Sequence, residues 1–171
     1  ADDVPTETIS GGLGPIAVQF DSVAFAYDPE SPILHDVSFE VRTGHRVALV
    51  GPSGSGKSTI LSLVERFYDV TSGRVRVGGP AIRALARAEL RSAIGYVEQD
   101  APVLAGSIRD NLTLGAPDAT DAECLAVLAE VNLTNIVERS DKGLDAPVGE
   151  GGVLLSGGER QRLAIARALL M

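Results

Sequence analysis

Two short stretches of this sequence carry residue types suited to holding phosphate. The first is Gly51-Pro52-Ser53-Gly54-Ser55-Gly56-Lys57-Ser58-Thr59. Glycines let a backbone curl until consecutive N–H groups point at one anion. A helix opening near Lys57 adds its positive end to the same place. Lys57 then supplies a mobile ammonium for β- and γ-phosphates, and Ser58 a hydroxyl for Mg²⁺. The plain alternative is a Gly/Ser-rich turn that happens to hold a lysine. Lys57 and Lys142 are the only lysines in the chain, and one of them falls in the required slot. The slot also follows a short apolar run and precedes a helical pattern, the context a phosphate loop needs. The second stretch is Leu155-Ser156-Gly157-Gly158-Glu159-Arg160-Gln161-Arg162. Here too, small residues open a helix where a phosphate can reach backbone amides. Ser156 either donates its hydroxyl to that phosphate or simply caps the helix.

The elements that must hold these residues are legible in outline. Residues 1–15 are polar and rich in Gly, Pro, Ser and Thr, which reads as a linker or frayed tail. Residues 16–25 and 37–41 alternate apolar and polar types around Asp28-Pro29-Glu30-Ser31-Pro32, predicting an antiparallel pair. Residues 46–50 (RVALV) are apolar on both faces, as in a buried parallel strand, and lead into the first stretch. A helix is expected over 57–66, strands over 74–77 and 93–97, and a further helix over 82–91. Thr120-Asp-Ala-Glu123 is a capping box, followed by Leu125, Leu128, Ala129 and Leu133 at helical spacing. Ser156-Gly-Gly-Glu159 is a second box, opening a helix whose apolar stripe includes Leu163, Ala166 and Leu170. The mixture of strands and helices predicts an α/β chain.

Composition excludes several other functions. The chain has 171 residues, 44% hydrophobic and 22% charged, with a formal net charge of -8. That acidity argues against nucleic acid as a partner, and the arginines at 74, 76, 83, 87 and 91 are dispersed rather than patched. Cys124 is the single cysteine, so neither an internal disulfide nor a cysteine metal cluster can form. It reads as a plain buried thiol. His35 and His45 have no second ligand at metal spacing and read as structural. No run approaches the ~20 consecutive apolar residues of a membrane span.

A phosphate loop alone names no function. With the second stretch it does, because residues 155–162 resemble the ABC signature LSGGxRQR. The chain is thereby similar to the ATP-binding domains of ABC transporters over residues 16–171. The resemblance implies a P-loop NTPase, RecA-like core. With it go an antiparallel β subdomain and P-loop at about 16–98, then a Q-loop and α-helical signature subdomain at about 99–171. ATP and Mg would be the ligands. Gly51, Ser53, Gly54, Ser55, Gly56, Lys57, Ser58 and Thr59 form the loop, and Tyr27 resembles the aromatic that stacks on adenine. Gln99 resembles the Q-loop glutamine, which with Ser58 reaches the metal. Leu155, Ser156, Gly157, Gly158 and Glu159 would face ATP held by a second such domain in a head-to-tail dimer.

Residues 90–112 and Val148-Gly149-Glu150-Gly151-Gly152 look like the exporter type, with Glu150 placed to touch a coupling helix. Leu104 and Ala146 depart from that pattern, where Phe and Thr are common. Transmembrane domains are expected N-terminal in the same full-length chain, with this domain on the cytoplasmic face of the cell membrane. The family's Walker B strand, carrying an Asp and the catalytic Glu, is expected after Met171. The core is therefore expected to be incomplete at its C-terminus, and residues 1–171 alone inactive in hydrolysis. Two other readings stay open: a non-transport ABC ATPase, and a module that binds ATP without hydrolysing it.

Overall fold

The computed structural model describes residues 5–9, 14–100, 102–149 and 154–171, which divide into a unit ending at Ile94 and a unit beginning at Gly95. In the first unit, β1 (Ile16–Asp28) and β2 (Ser31–Arg42) form an antiparallel hairpin. β3 (Ser72–Val77) pairs antiparallel with the other edge of β1, giving the order β2-β1-β3. Pro29 and Glu30 make the turn, closed by the Glu30 N–H donating to Asp28 Oδ1 at 3.1 Å. Both strands outrun the alternating pattern, because register shifts interrupt the period of two between Phe20 and Asp28. Ser22 and Asp36, with φ of 46° and 50°, mark the irregular positions. One face of the sheet packs Phe20, Phe25, Val75 and Val77 with Leu63 of α1 (Lys57–Val64) and Leu90 of α2 (Arg87–Ser92).

Four expectations need correction in this unit or at its end. The helix expected over 82–91 is a 3₁₀ turn, Ile82–Ala84, followed by α2. The carbonyls of Ile82 and Leu85 face the buried Arg66, whose Nη1 donates to them at 3.1 and 3.2 Å, so they do not build a continuous helix. Residues 46–50 form no strand, and Val47 and Val50 are 55% and 92% exposed. An apolar run becomes a strand only beside a partner, and among the described residues the only sheet is the antiparallel one. Residues 93–97 lack a ladder for the same reason. Finally, residues 5–9 of the expected tail are docked: Thr6 and Glu7 N–H groups donate to Ala84 O, and Ile9 N–H to Glu89 Oε1.

The second unit is helical, with α3 (Ile108–Leu112), α4 (Asp121–Glu130), α5 (Asn135–Glu138), a 3₁₀ turn at Gly143–Asp145 and α6 (Gly157–Leu170). The capping boxes at Thr120 and Ser156 are both formed, and so is a third at Ser107 with Asp110. The buried stripe of α4 is Cys124, Val127 and Leu128, while Leu125 and Ala129 are exposed. Treating the thiol as a small hydrophobe shifts the stripe by one residue and gives the observed face. Burial also pushes the Cys124 thiol up, away from thiolate character. Leu163 and Ala166 of α6 complete this core, with Leu170 packed against it. Arg109 ties three segments together by ion pairs to Asp121 and Asp145.

Candidate nucleotide site and signature helix

The phosphate loop owes its shape to glycine. Gly54 and Gly56 have φ of 81° and 86°, and Gly56 is the residue on which α1 begins. A Cβ at Gly56 would also stand 2.7 Å from Leu34 Cδ2, so this position is closed to side chains twice over. α1 has no side-chain cap and no acid in its first turn. Its leading amides are therefore left for an external anion rather than consumed by the protein. Lys57 Nζ donates to the carbonyls of Gly51 and Pro52 at 2.9 and 2.7 Å, and to Ser55 Oγ at 3.3 Å. The ammonium thus lies over the loop it serves, held by neutral acceptors that a phosphate would outcompete. Ser53 and Ser58 are exposed and Thr59 is buried.

Tyr27 joins the same site. Its hydroxyl lies 3.3 Å from Thr59 Oγ1, linking β1 to the first turn of α1. Phe25 and Tyr68 hold the ring edge-on, with centroids at 4.9 and 5.0 Å, yet half of Tyr27 remains exposed. An aromatic surface fixed beside a phosphate loop is what a purine base needs for stacking. The set as a whole fits a nucleotide polyphosphate: the uncapped start of α1, one mobile cation, an exposed hydroxyl at Ser58 for a metal, and an aromatic at the side.

In the second unit, the Ser156 box opens α6. Ser156 Oγ accepts from the Glu159 N–H at 3.3 Å, and the Ser156 N–H donates to Glu159 Oε2 at 2.8 Å. Leu155 is buried, and its carbonyl accepts from Arg160 Nη1 at 2.9 Å. Gly157 and Gly158 have only distant arginine atoms where a Cβ would stand, so their backbone is open to approach. Glu159 is a buried acid whose Oε1 takes a hydrogen bond from Arg139. That bond, together with those from Ser156, holds the Glu159 carboxyl at about 2 against an ordinary 4.5. A depressed carboxyl stabilises the fold above its ordinary value and loses that contribution as pH falls through the folded one. Stability is therefore expected to fall from about pH 4.5 toward 2, and Glu159→Gln should flatten that part of the profile. Melting temperatures at a series of acid pH values check this; equal slopes for both proteins would refute it.

Gln99 sits on an exposed turn at the start of the second unit, and Glu150 lies outside the described residues. One organising residue escaped the sequence reading. Asn111 is fully buried, and its amide group bonds both backbone groups of Leu104, the Ser107 carbonyl and Arg167 Nη2. Arg167 of α6 also donates to the carbonyls of Asn111 and Pro102. The segment after Gln99 is thus pinned to the signature helix. Ser107-Ile-Arg-Asp110 was the available signal, a capping box with Asp in place of Glu.

Comparison with known proteins bears on this geometry. A family model described as ABC transporter matches residues 34–171. The mitochondrial iron-sulfur clusters transporter ATM1 of Debaryomyces hansenii is 47% identical over 156 residues, covering 91% of this chain and 22% of that protein. A multidrug resistance ABC transporter ATP-binding and permease protein of Lactococcus lactis subsp. cremoris is 49% identical over 149 residues, 86% of this chain and 25% of that one. The solved structure of a bacterial Atm1-family ABC exporter with ATP bound superposes with a TM-score of 0.87 at 42% identity. The match covers 99% of this chain and 29% of the exporter's. The fold is accordingly that of a P-loop NTPase with an antiparallel sheet and a helical part. The chain spans about a quarter or less of the length of these relatives. None of them favours the non-transport alternative. The chain belongs to the ABC transporter family.

Proposed function

We propose that this chain binds MgATP and supplies the ATPase part of an exporter-type transporter, at the cytoplasmic face of the membrane. The observation that carries it is the joining of Tyr27 to the phosphate loop through Thr59, with the α1 amides left uncapped. ATP lies with its base on Tyr27 and its phosphates over residues 51–59. Lys57 exchanges its loop carbonyls for phosphate oxygens as the nucleotide enters. Ser58 would hold Mg²⁺, which neutralises charge on the outer phosphates, and Gln99 keeps the Q-loop role that the family resemblance implies. The signature residues 155–159 face the nucleotide of a second copy arranged head to tail, and Glu150 contacts the transmembrane part of the transporter. Closure of the two copies around ATP would drive that part.

Tyr27 tests the reading. Tyr27→Ala is expected to weaken ATP and ADP by similar factors, within the ~1–3 kcal/mol of base–aromatic stacking. Tyr27→Phe, which keeps the ring and loses the bond to Thr59, should recover most of that. Calorimetric titration with both nucleotides decides the matter. A loss confined to ATP would place Tyr27 at the γ-phosphate and overturn this arrangement.

A further inference from the structure

The helix α1 ends in a turn that glycine usually makes. The Phe67 N–H donates to the Ser62 carbonyl at 3.0 Å and the Arg66 N–H to the Leu63 carbonyl at 3.1 Å, the paired bonds of a Schellman cap. The left-handed position of that cap falls on Arg66, with φ of 54°, although a side chain there is disfavoured. Its buried guanidinium secures the turn by donating to the carbonyls of Ile82 and Leu85 and to Asp69 Oδ1. Downstream, the Thr71 N–H donates to the Ala24 carbonyl of β1 at 3.0 Å. Phe67 and Tyr68 are thereby fixed between two anchored points. Phe67 lies under the Arg91 guanidinium, 4.6 Å from its ring centroid. Tyr68 lies against Tyr27 and Phe25, with centroids 5.0 and 5.8 Å away. Phe25 and Tyr27 also meet at 4.9 Å, so the three rings form a closed triangle. Tyr68 is 47% exposed, so burial of its own ring explains little of that placement.

We propose that Tyr68 is a positioning residue for the nucleotide base, acting through Tyr27. The inference rests on the reading of Tyr27 as the stacking ring. Tyr27 stands one residue before the end of β1 with half its surface exposed, where an unsupported ring samples several rotamers. Stacking a base on it would then cost the freedom that the ring gives up. Tyr68 removes that freedom in advance. The planes of Phe25 and Tyr68 cross that of Tyr27 at 87° and 84°, so neither ring lies stacked over it. Phe25 steadies Tyr27 from the same strand, Tyr68 from a second segment, and Thr59 at its hydroxyl. Because Tyr68 acts on the ring alone, it favours any nucleotide that carries a base, whatever its number of phosphates.

Titration of the full-length protein that carries this chain with ATP, ADP and inorganic tripolyphosphate, in a double-mutant cycle of Tyr27→Ala and Tyr68→Ala, tests the proposal. Tyr68→Ala is expected to weaken ATP and ADP alike by about two- to tenfold, the size of one aromatic edge contact. Tripolyphosphate, which has no base, should bind as before. Added to Tyr27→Ala, the second alanine should cost nothing further, because the ring it steadies is already gone. Tyr68→Phe keeps the ring and should restore both nucleotides. A loss for tripolyphosphate would show that Tyr68 merely supports the phosphate loop, and would overturn the proposal. Equal losses with and without Tyr27 would overturn it too, since Tyr68 would then act independently of that ring. An inert Tyr68→Ala beside a damaging Tyr27→Ala overturns it while leaving the stacking reading intact. An inert Tyr27→Ala removes both. If the alanine variant unfolds, Tyr68→Leu takes its place, filling the space without a ring. Weaker nucleotide binding with tripolyphosphate unchanged then supports the proposal, and nucleotide affinity equal to wild type overturns it.

Discussion

Lys57→Ala is expected to abolish most nucleotide affinity while leaving the fold intact. The side chain is a surface cation whose partners are carbonyls and a hydroxyl of its own loop, so its removal orphans no buried charge. The loop itself is held by other means: left-handed φ at Gly54 and Gly56, and the packing of Leu34 and Ile33 under Gly56. What the alanine removes is the one mobile cation set over the uncapped start of α1. A hydrogen bond to a charged group contributes ~1.5–3 kcal/mol, and an ammonium bridging two phosphates makes more than one. The expected loss is therefore on the order of 100-fold in ATP affinity, with a smaller loss for ADP, which lacks one partner. Calorimetric titration of both nucleotides against wild type and variant measures it, and an unchanged melting temperature shows that the scaffold survived. Equal ATP affinity in the two proteins would sink the assignment of residues 51–59 as the nucleotide site.

The contrast between what could and could not be read from the residues has a physical pattern. Glycine and capping residues are legible because their roles are local. Gly56 needs its φ whatever surrounds it, and Thr120 finds Glu123 within a single turn. Strands over 16–28 and 31–42 were visible only as far as the alternation held, since bulges are set by partners. Residues 46–50 failed for the opposite reason. Their apolar pattern describes what a strand would bury, and a pattern cannot state whether a neighbour is present. Asn111 and Arg167 were invisible for a third reason: they lie 56 residues apart, and nothing in either local sequence announces the other. The same holds for Arg139, whose partner Glu159 is 20 residues away. Local geometry carried by short motifs was therefore plain, while the groups packed against those motifs emerged only from the folded chain.

Asn111→Ala should be the most destabilising single change in the second unit. The residue is fully buried, and its side chain makes four hydrogen bonds, two donated and two accepted. An alanine would strand the Leu104 N–H and carbonyl, leave the Ser107 carbonyl with only the backbone N–H of residue 111, and deprive Arg167 of one acceptor. Arg167 is already drawn down by burial, so a lost acceptor is felt there more than at the surface. Each orphaned polar group costs ~1–3 kcal/mol, reduced where water can reach it. The segment 102–107 is only partly buried, so water recovers some of the loss, and a total of about 2–4 kcal/mol is expected. Against the 5–15 kcal/mol typical of a whole domain, that is a large share. Asn111→Asp separates hydrogen bonding from volume, since it keeps the acceptor for Arg167 but turns a carboxylate toward two carbonyls. It should therefore destabilise nearly as much as alanine despite its near-identical size. Denaturant titrations give both values, and amide exchange at Leu104 reports whether the segment after Gln99 has come loose from α6. A cost below about 1 kcal/mol for alanine, with Leu104 still protected, would show that backbone contacts alone pin this segment and that Asn111 is a passenger.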